Sequence, residues 1–184
     1  VLFRSNFPIT YEASVSAADR ALIDRAVRDS DVFFRASFGV GVRPLRIDVF
    51  SSNAPNNFWA VTDAGSIRFY VGSGQWILGS QGERFHLMAR EMFRALELQM
   101  AAGRLMQEQW IHEGMAEYMG YRVADSSGLY GYGLARLDNI EKGRNATRPL
   151  NLIQPTDQGF FPLSRSEEHT SELQSRGLIS YAVF

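Results

Sequence analysis

The stretch from Gln81 to Ala102 limits what this chain can fold into more than any other. Phe85, Met88, Met92, Ala95, Leu96 and Gln99 recur at the spacing of one helix face. Leu87 and Leu98 are apolar on a different line, the one that also holds Arg90 and Arg94. A helix apolar on more than one side needs cover on more than one side, so this one is expected to be central. Gly103 is expected to stop it, because glycine accepts the left-handed backbone found just past helix ends.

The segments before it supply cover. Ile9-Thr10-Tyr11-Glu12 reads as a short strand, and Ser14 or Ser16 as the cap of a following helix. Leu22, Ile23, Ala26, Val27, Phe33 and Phe34 give that helix its apolar positions, and Gly39 and Gly41 end it. Leu45, Ile47 and Val49 alternate with Arg46, Asp48 and Phe50, the pattern of a strand with one face on a core. Phe58 to Val61 and Ile67 to Val71, around Asp63-Ala64-Gly65, read as a hairpin closed by Gly72 and Gly74. A second long helix is expected from Gln107 to Val123, broken by Ser126-Ser127-Gly128, and a third from Tyr132 to Glu141, with loop from Pro149 to Pro162. Strands come first and helices later, so the fold class is α+β: a small sheet layer with one long helix, then a helical half.

The ends do not resemble sequence selected to fold. Val1-Leu2-Phe3-Arg4-Ser5 and Arg165 to Ser175 resemble translations of a common sequencing adapter in its two directions, and Ile179 to Phe184 resembles its far end. Residues 1–5 and 165–184 are therefore set aside, the latter as a disordered tail, leaving one domain over 6–164 that is truncated at its C-terminus. Charge is close to balanced, at 19 basic and 20 acidic residues, and the two ends carry three of each sign. No charge excess favours nucleic acid. No apolar run is long enough to span a bilayer. Cysteine is absent, which excludes disulfides, thiolate metal sites and a cysteine nucleophile. None of this assigns a compartment or an oligomeric state.

Chemistry concentrates in Arg90-Glu91-Met92-Phe93-Arg94 and, after eighteen intervening residues, Glu113 in Trp110-Ile111-His112-Glu113-Gly114-Met115-Ala116-Glu117-Tyr118. Positions four apart share a helix face. In a His-Glu-x-x-His helix, two imidazoles at that spacing bind one zinc, and the adjacent Glu acts as base on metal-bound water. A carboxylate from a second helix completes the protein ligands. By spacing, Glu113 is that carboxylate, and Glu117, one turn on, can hold the group at position 90.

These residues resemble the gluzincin zinc metallopeptidases, and among them the bacterial peptidase-MA-like domains, which carry His-Glu-aromatic-Phe-His and then Trp-Leu-x-Glu-Gly-x-Ala-Glu-Tyr. The order of strands and helices over 6–124 is similar too. The resemblance implies a thermolysin-like architecture. It puts Glu91 at the general-base position, Glu113 at the third zinc-ligand position and Glu117 behind the ligands. It also implies a cleft-lining edge strand at Ile67, Phe69 and Val71 that pairs with an extended peptide, with Trp59, Phe69 and Tyr70 as groove candidates, at least two of which are expected in the hydrophobic core instead. An extracytoplasmic location would be compatible with the family.

Arg90 and Arg94 depart from the pattern, since they stand at the two His-ligand positions. Guanidinium offers no lone pair and stays protonated. No cofactor is expected on the chain as written. The positive charge of a metal would be replaced by two Arg side chains set against Glu91, Glu113 and Glu117. The expected function is a catalytically degenerate metallopeptidase-fold domain that binds peptide or serves as a packing module. The alternative is an active zinc metallopeptidase with Glu91 as base. It would use His86 and His112 as substitute ligands, or the Arg codons would be misread His codons, one A-to-G change away. A third reading is an unrelated interaction domain, for which the two helices would not meet.

Overall fold

The computed structural model describes residues 7–54, 58–101, 109–133 and 135–137. The sequence-predicted features at 1–5, 149–162 and 165–184, and the helix-stopping Gly103, lie outside them. The fold is mixed α+β, with a small four-stranded sheet and packed helices.

Strand β1 (Ile9–Tyr11) leads into α1 (Ala17–Phe38), which crosses over to β2 (Arg46–Phe50). Ser16 caps α1 by accepting from the Asp19 amide, and Gly39, at φ 71°, ends it in the left-handed region. A hairpin follows, β3 (Ala60–Thr62) and β4 (Ser66–Tyr70). Asp63 turns it by accepting from the amides of Gly65 and Ser66. The sheet order is β1-β2-β4-β3, with β1, β2 and β4 parallel and β3 antiparallel at the edge.

Period-2 alternation sorts the side chains. Ile47, Val49, Ile67 and Phe69 share one face and are buried in a single core with Ile23, Val27 and Phe34 of α1. The helix α3 (Gln81–Met100) supplies Phe85, Met88, Met92 and Leu96 to the same core. Phe34 and Phe93 meet edge-on at 5.5 Å. Most of α3 is buried, as its two-sided apolar pattern predicts.

Gln99, on the apolar face of α3, is not apolar packing. Its amide accepts from the Arg43 amide at 2.7 Å and donates to the Ala64 carbonyl at 3.0 Å, which ties the end of α3 to the sheet. A buried amide side chain is tolerated because its hydrogen bonds are made.

Three expectations are corrected. The residues Ile67, Phe69 and Val71 do not form an edge strand: β4 is inner, paired with β2 on one side and β3 on the other. All three are buried in the core. The edge on this side is β3, because the hairpin folds its first arm outward, and the other edge is β1. Among the groove candidates Phe69 is core, and Tyr70 stacks on Phe50 on the sheet's other face, leaving Trp59. Second, the chain after β4 forms a short helix, α2 (Gly74–Leu78), capped by Ser73, where only closing glycines were expected. Five residues are too few for a periodicity to show. Third, α3 ends at Met100 rather than Ala102, with Ala101 as its cap residue.

The next helix, α4 (Gln109–Ser126), runs further than Val123 and is followed by Gly128 at φ 69°. Helical backbone resumes at 132–133 and 135–137, within the expected third helix. No helix among the described residues is long and apolar enough to cross a membrane.

Candidate functional site

The site is the seam between α3 and α4, and it is built from two lines of residues one turn apart. On α3 the line is His86, Arg90, Arg94 and, three residues further, Glu97; on α4 it is Glu113, Glu117 and Tyr121, with His112 next to Glu113 at its start. His86 meets Tyr121 and Glu117, Arg90 meets Glu117 and Glu113, Arg94 meets Glu113, and Glu97 meets His112. Numbers rise along one helix as they fall along the other, so the helices are antiparallel.

Local sequence fixes both lines. Ser80 and Glu83 start α3 with a reciprocal capping box, Glu83 Oε2 accepting from the Ser80 amide at 2.7 Å. Gly120 lets the helices approach: a Cβ there would lie 2.8 Å from His86 Cδ2, 3.0 Å from the His86 carbonyl oxygen and 3.1 Å from Arg90 Cβ. Its use is the absence of a side chain, not an unusual backbone.

Arg90 is the centre. It is 3 % exposed, and its guanidinium faces three carboxylates. Nη1 lies 2.7 Å from Glu91 Oε1, Nη2 2.5 Å from Glu113 Oε2, and Nε 2.9 Å from Glu117 Oε2. Its Cζ also sits 4.9 Å from the centre of the Trp59 ring. A planar fork of donors can serve several carboxylates in this way, where an ammonium would be a single point charge. Arg94, one turn on and 25 % exposed, pairs through Nη1 with Glu113 Oε1. Each oxygen of Glu113 thus has its own guanidinium.

Glu91, which the resemblance puts at the general-base position, is also engaged. Glu91 Oε1 accepts from Arg90 and, at 3.3 Å, from Trp59 Nε1; Oε2 accepts from Thr62 Oγ1 at 2.6 Å. The sheet edge therefore closes over Glu91, which is 3 % exposed. His86 Nε2 lies 2.7 Å from Glu117 Oε1, and its ring stacks on Tyr121 at 3.9 Å.

At the far end of the seam, Glu97 Oε1 lies 3.5 Å from His112 Nδ1, while Oε2 is buried and has no hydrogen-bond partner among the described residues. Burial pushes the Glu97 carboxyl up from 4.5 to about 8, with Arg94 pulling it down and Glu113 pushing it up.

The sequence-predicted residues Arg90, Glu91, Arg94, Glu113 and Glu117 converge, whereas Ile67, Phe69 and Val71 lie in the core. Thr62, Glu97 and Tyr121 belong to the seam and were not singled out in the sequence. Glu97 and Tyr121 continue the helical lines, which is a signal; Thr62 comes from a distant strand and left none.

As they stand, these side chains do not fit a zinc ion. Two of the three positions that the resemblance gives to zinc ligands carry guanidinium, and Glu113 spends both oxygens on them. The two histidines of the seam pair at its opposite ends, His86 with Glu117 and His112 with Glu97. Among the described residues, no three His, Asp or Glu side chains are grouped to hold a metal. Comparison with family models, curated proteins and solved structures gives no match for this chain.

Proposed function

We propose that this chain has the scaffold of a gluzincin metallopeptidase of the peptidase-MA-like kind, with two guanidiniums standing where the metal and its imidazoles would be. Its role is then not peptide hydrolysis but binding, with an extended peptide as ligand. The observation that carries this reading is Arg90, buried among Glu91, Glu113 and Glu117 across two helices. The spacing of the motif predicts that convergence, and a solvated run of Arg and Glu would not give it.

Loss of hydrolysis follows from two independent features. Arginine cannot activate water as a Lewis acid. Glu91 would have to release Arg90, Trp59 and Thr62 before it could take a proton from water.

The peptide reading is supported by strand β3. Trp59 accepts from the Tyr70 amide and Asp63 donates to the Ser66 carbonyl, so alternation turns the main-chain groups of Ala60 and Thr62 away from the sheet. An extended chain can add there by main-chain pairing, beside Trp59.

Metal analysis and a casein digest test the proposal. Purified protein is expected to carry no stoichiometric zinc and to show no chelator-sensitive cleavage. About one tightly held zinc per chain together with such cleavage would establish the active-peptidase alternative instead.

A further inference from the structure

Glu91 reaches out of the seam to the sheet. Its Oε2 accepts from Thr62 Oγ1 at 2.6 Å and its Oε1 from Trp59 Nε1 at 3.3 Å. Those two residues bracket β3, one just before Ala60 and the other at its end. A three-residue strand at a sheet edge has a neighbouring strand on one side only, so it belongs to the elements that open locally. Glu91 is the opposite kind of partner. It is buried in the middle of α3, with Arg90 Nη1 against the same Oε1 at 2.7 Å.

We propose that Glu91 is the anchor of β3, a positioning residue that acts through Thr62 and Trp59 to hold the edge strand ready to pair with an extended peptide. This use of Glu91 rests on the peptide reading above, to which it adds the residues that ready the strand.

Main-chain bonds join Trp59 to Tyr70 and Asp63 to Ser66, with Val61 opposite Arg68 between them. Ala60 and Thr62 therefore present their N–H and C=O outward in the plane of the sheet. The Thr62 side chain leaves that plane toward α3, where Glu91 holds it. How far a strand rolls about its own axis sets where its outward groups point. Bonds along one side act as a hinge and leave that roll loose; an attachment out of the plane fixes it. A hydroxyl bonded to a carboxylate is of the stronger, charge-assisted kind. The Trp59 ring is held as well, with Arg90 Cζ 4.9 Å from its centre. An incoming chain then meets groups already set for pairing, which lowers the ordering cost of binding.

Two substitutions separate shape from hydrogen bonding: Thr62→Val keeps the branched side chain and removes the hydroxyl, and Thr62→Ser keeps the hydroxyl. Hydrogen exchange is read at Asp63 and Tyr70, whose amides bond across β3 and β4. In Thr62→Val both are expected to exchange about tenfold faster, with β2 unchanged, and Thr62→Ser should restore most of the protection. A bond that served the seam alone would loosen the helices instead. Faster exchange along α4 with Asp63 and Tyr70 unchanged would overturn the proposal. Should Thr62→Val fail to fold, Trp59→Phe keeps a ring beside Arg90 and removes the indole N–H. It should speed exchange at the same two amides about threefold, and no change there would overturn the proposal.

Binding to immobilised, dephosphorylated casein, an unfolded chain, separates the anchor from the peptide reading. Wild type is expected to bind, Thr62→Val to bind about tenfold more weakly, and Thr62→Ser to stay close to wild type. Equal binding by wild type and Thr62→Val would overturn the part of Glu91 in capture. No binding by wild type would overturn the peptide reading, and the exchange result alone would then decide whether Glu91 anchors β3.

Discussion

At the scale of single residues, the burial of Arg90 determines the consequences of changing it. Removing one partner from a buried, hydrogen-bonded charge cluster leaves the others uncompensated. Arg90→Ala is therefore expected to destabilise the fold by about 3–5 kcal/mol, read by urea unfolding. Arg94 is 25 % exposed and shares one carboxylate, so Arg94→Ala should cost less, about 1–3 kcal/mol. If Arg94→Ala proved the costlier of the two, the centre of the seam would have to be sought elsewhere. These contacts were legible in the sequence because helical spacing alone brings positions 90 and 94 onto one face and 113 and 117 onto another. The partners of Glu91 were not. Trp59 and Thr62 lie some thirty positions earlier, on a strand whose neighbour depends on which arm of a hairpin the sheet accepts.

Among the elements, α3 shows how local signals and packing agree. Its capping box holds the first turn, and Ser80→Ala should lower stability by about 1 kcal/mol in a thermal melt. Gly120 tests the contact with α4. Gly120→Ala removes backbone entropy from the unfolded chain and so would stabilise an isolated helix, yet here the new methyl meets the His86 carbonyl and Arg90 Cβ. Overpacking should win, with a loss of about 1–3 kcal/mol by urea unfolding. The helices and the hairpin were readable from periodicity and turn residues. The order of the strands was not, because the hydrophobic alternation of β4 is the same in an inner strand as in an edge strand. The short helix α2 was hidden for a different reason: Ser73 is a cap signal, but nothing periodic follows it.

For the whole molecule, the α+β class followed from the order of the elements, and the central position of α3 followed from its two apolar lines. The proposed ancestry makes a gain-of-function prediction. Arg90→His combined with Arg94→His would place two imidazoles beside Glu113, with Glu117 behind them. The double variant is expected to bind zinc and to melt at a higher temperature when zinc is added, while wild type is unaffected. A double variant that folds but ignores zinc would count against the scaffold being that of a metallopeptidase. The contact at Gly120 has one more consequence. Arg and Glu recur every turn on the facing lines, so sliding α4 by one turn in either direction would still leave an Arg opposite a Glu. Either slide would also carry an alanine, Ala116 or Ala124, into the place of Gly120, where a methyl does not fit. The ion pairs make the two helices adhere, but a missing methyl decides which turn meets which.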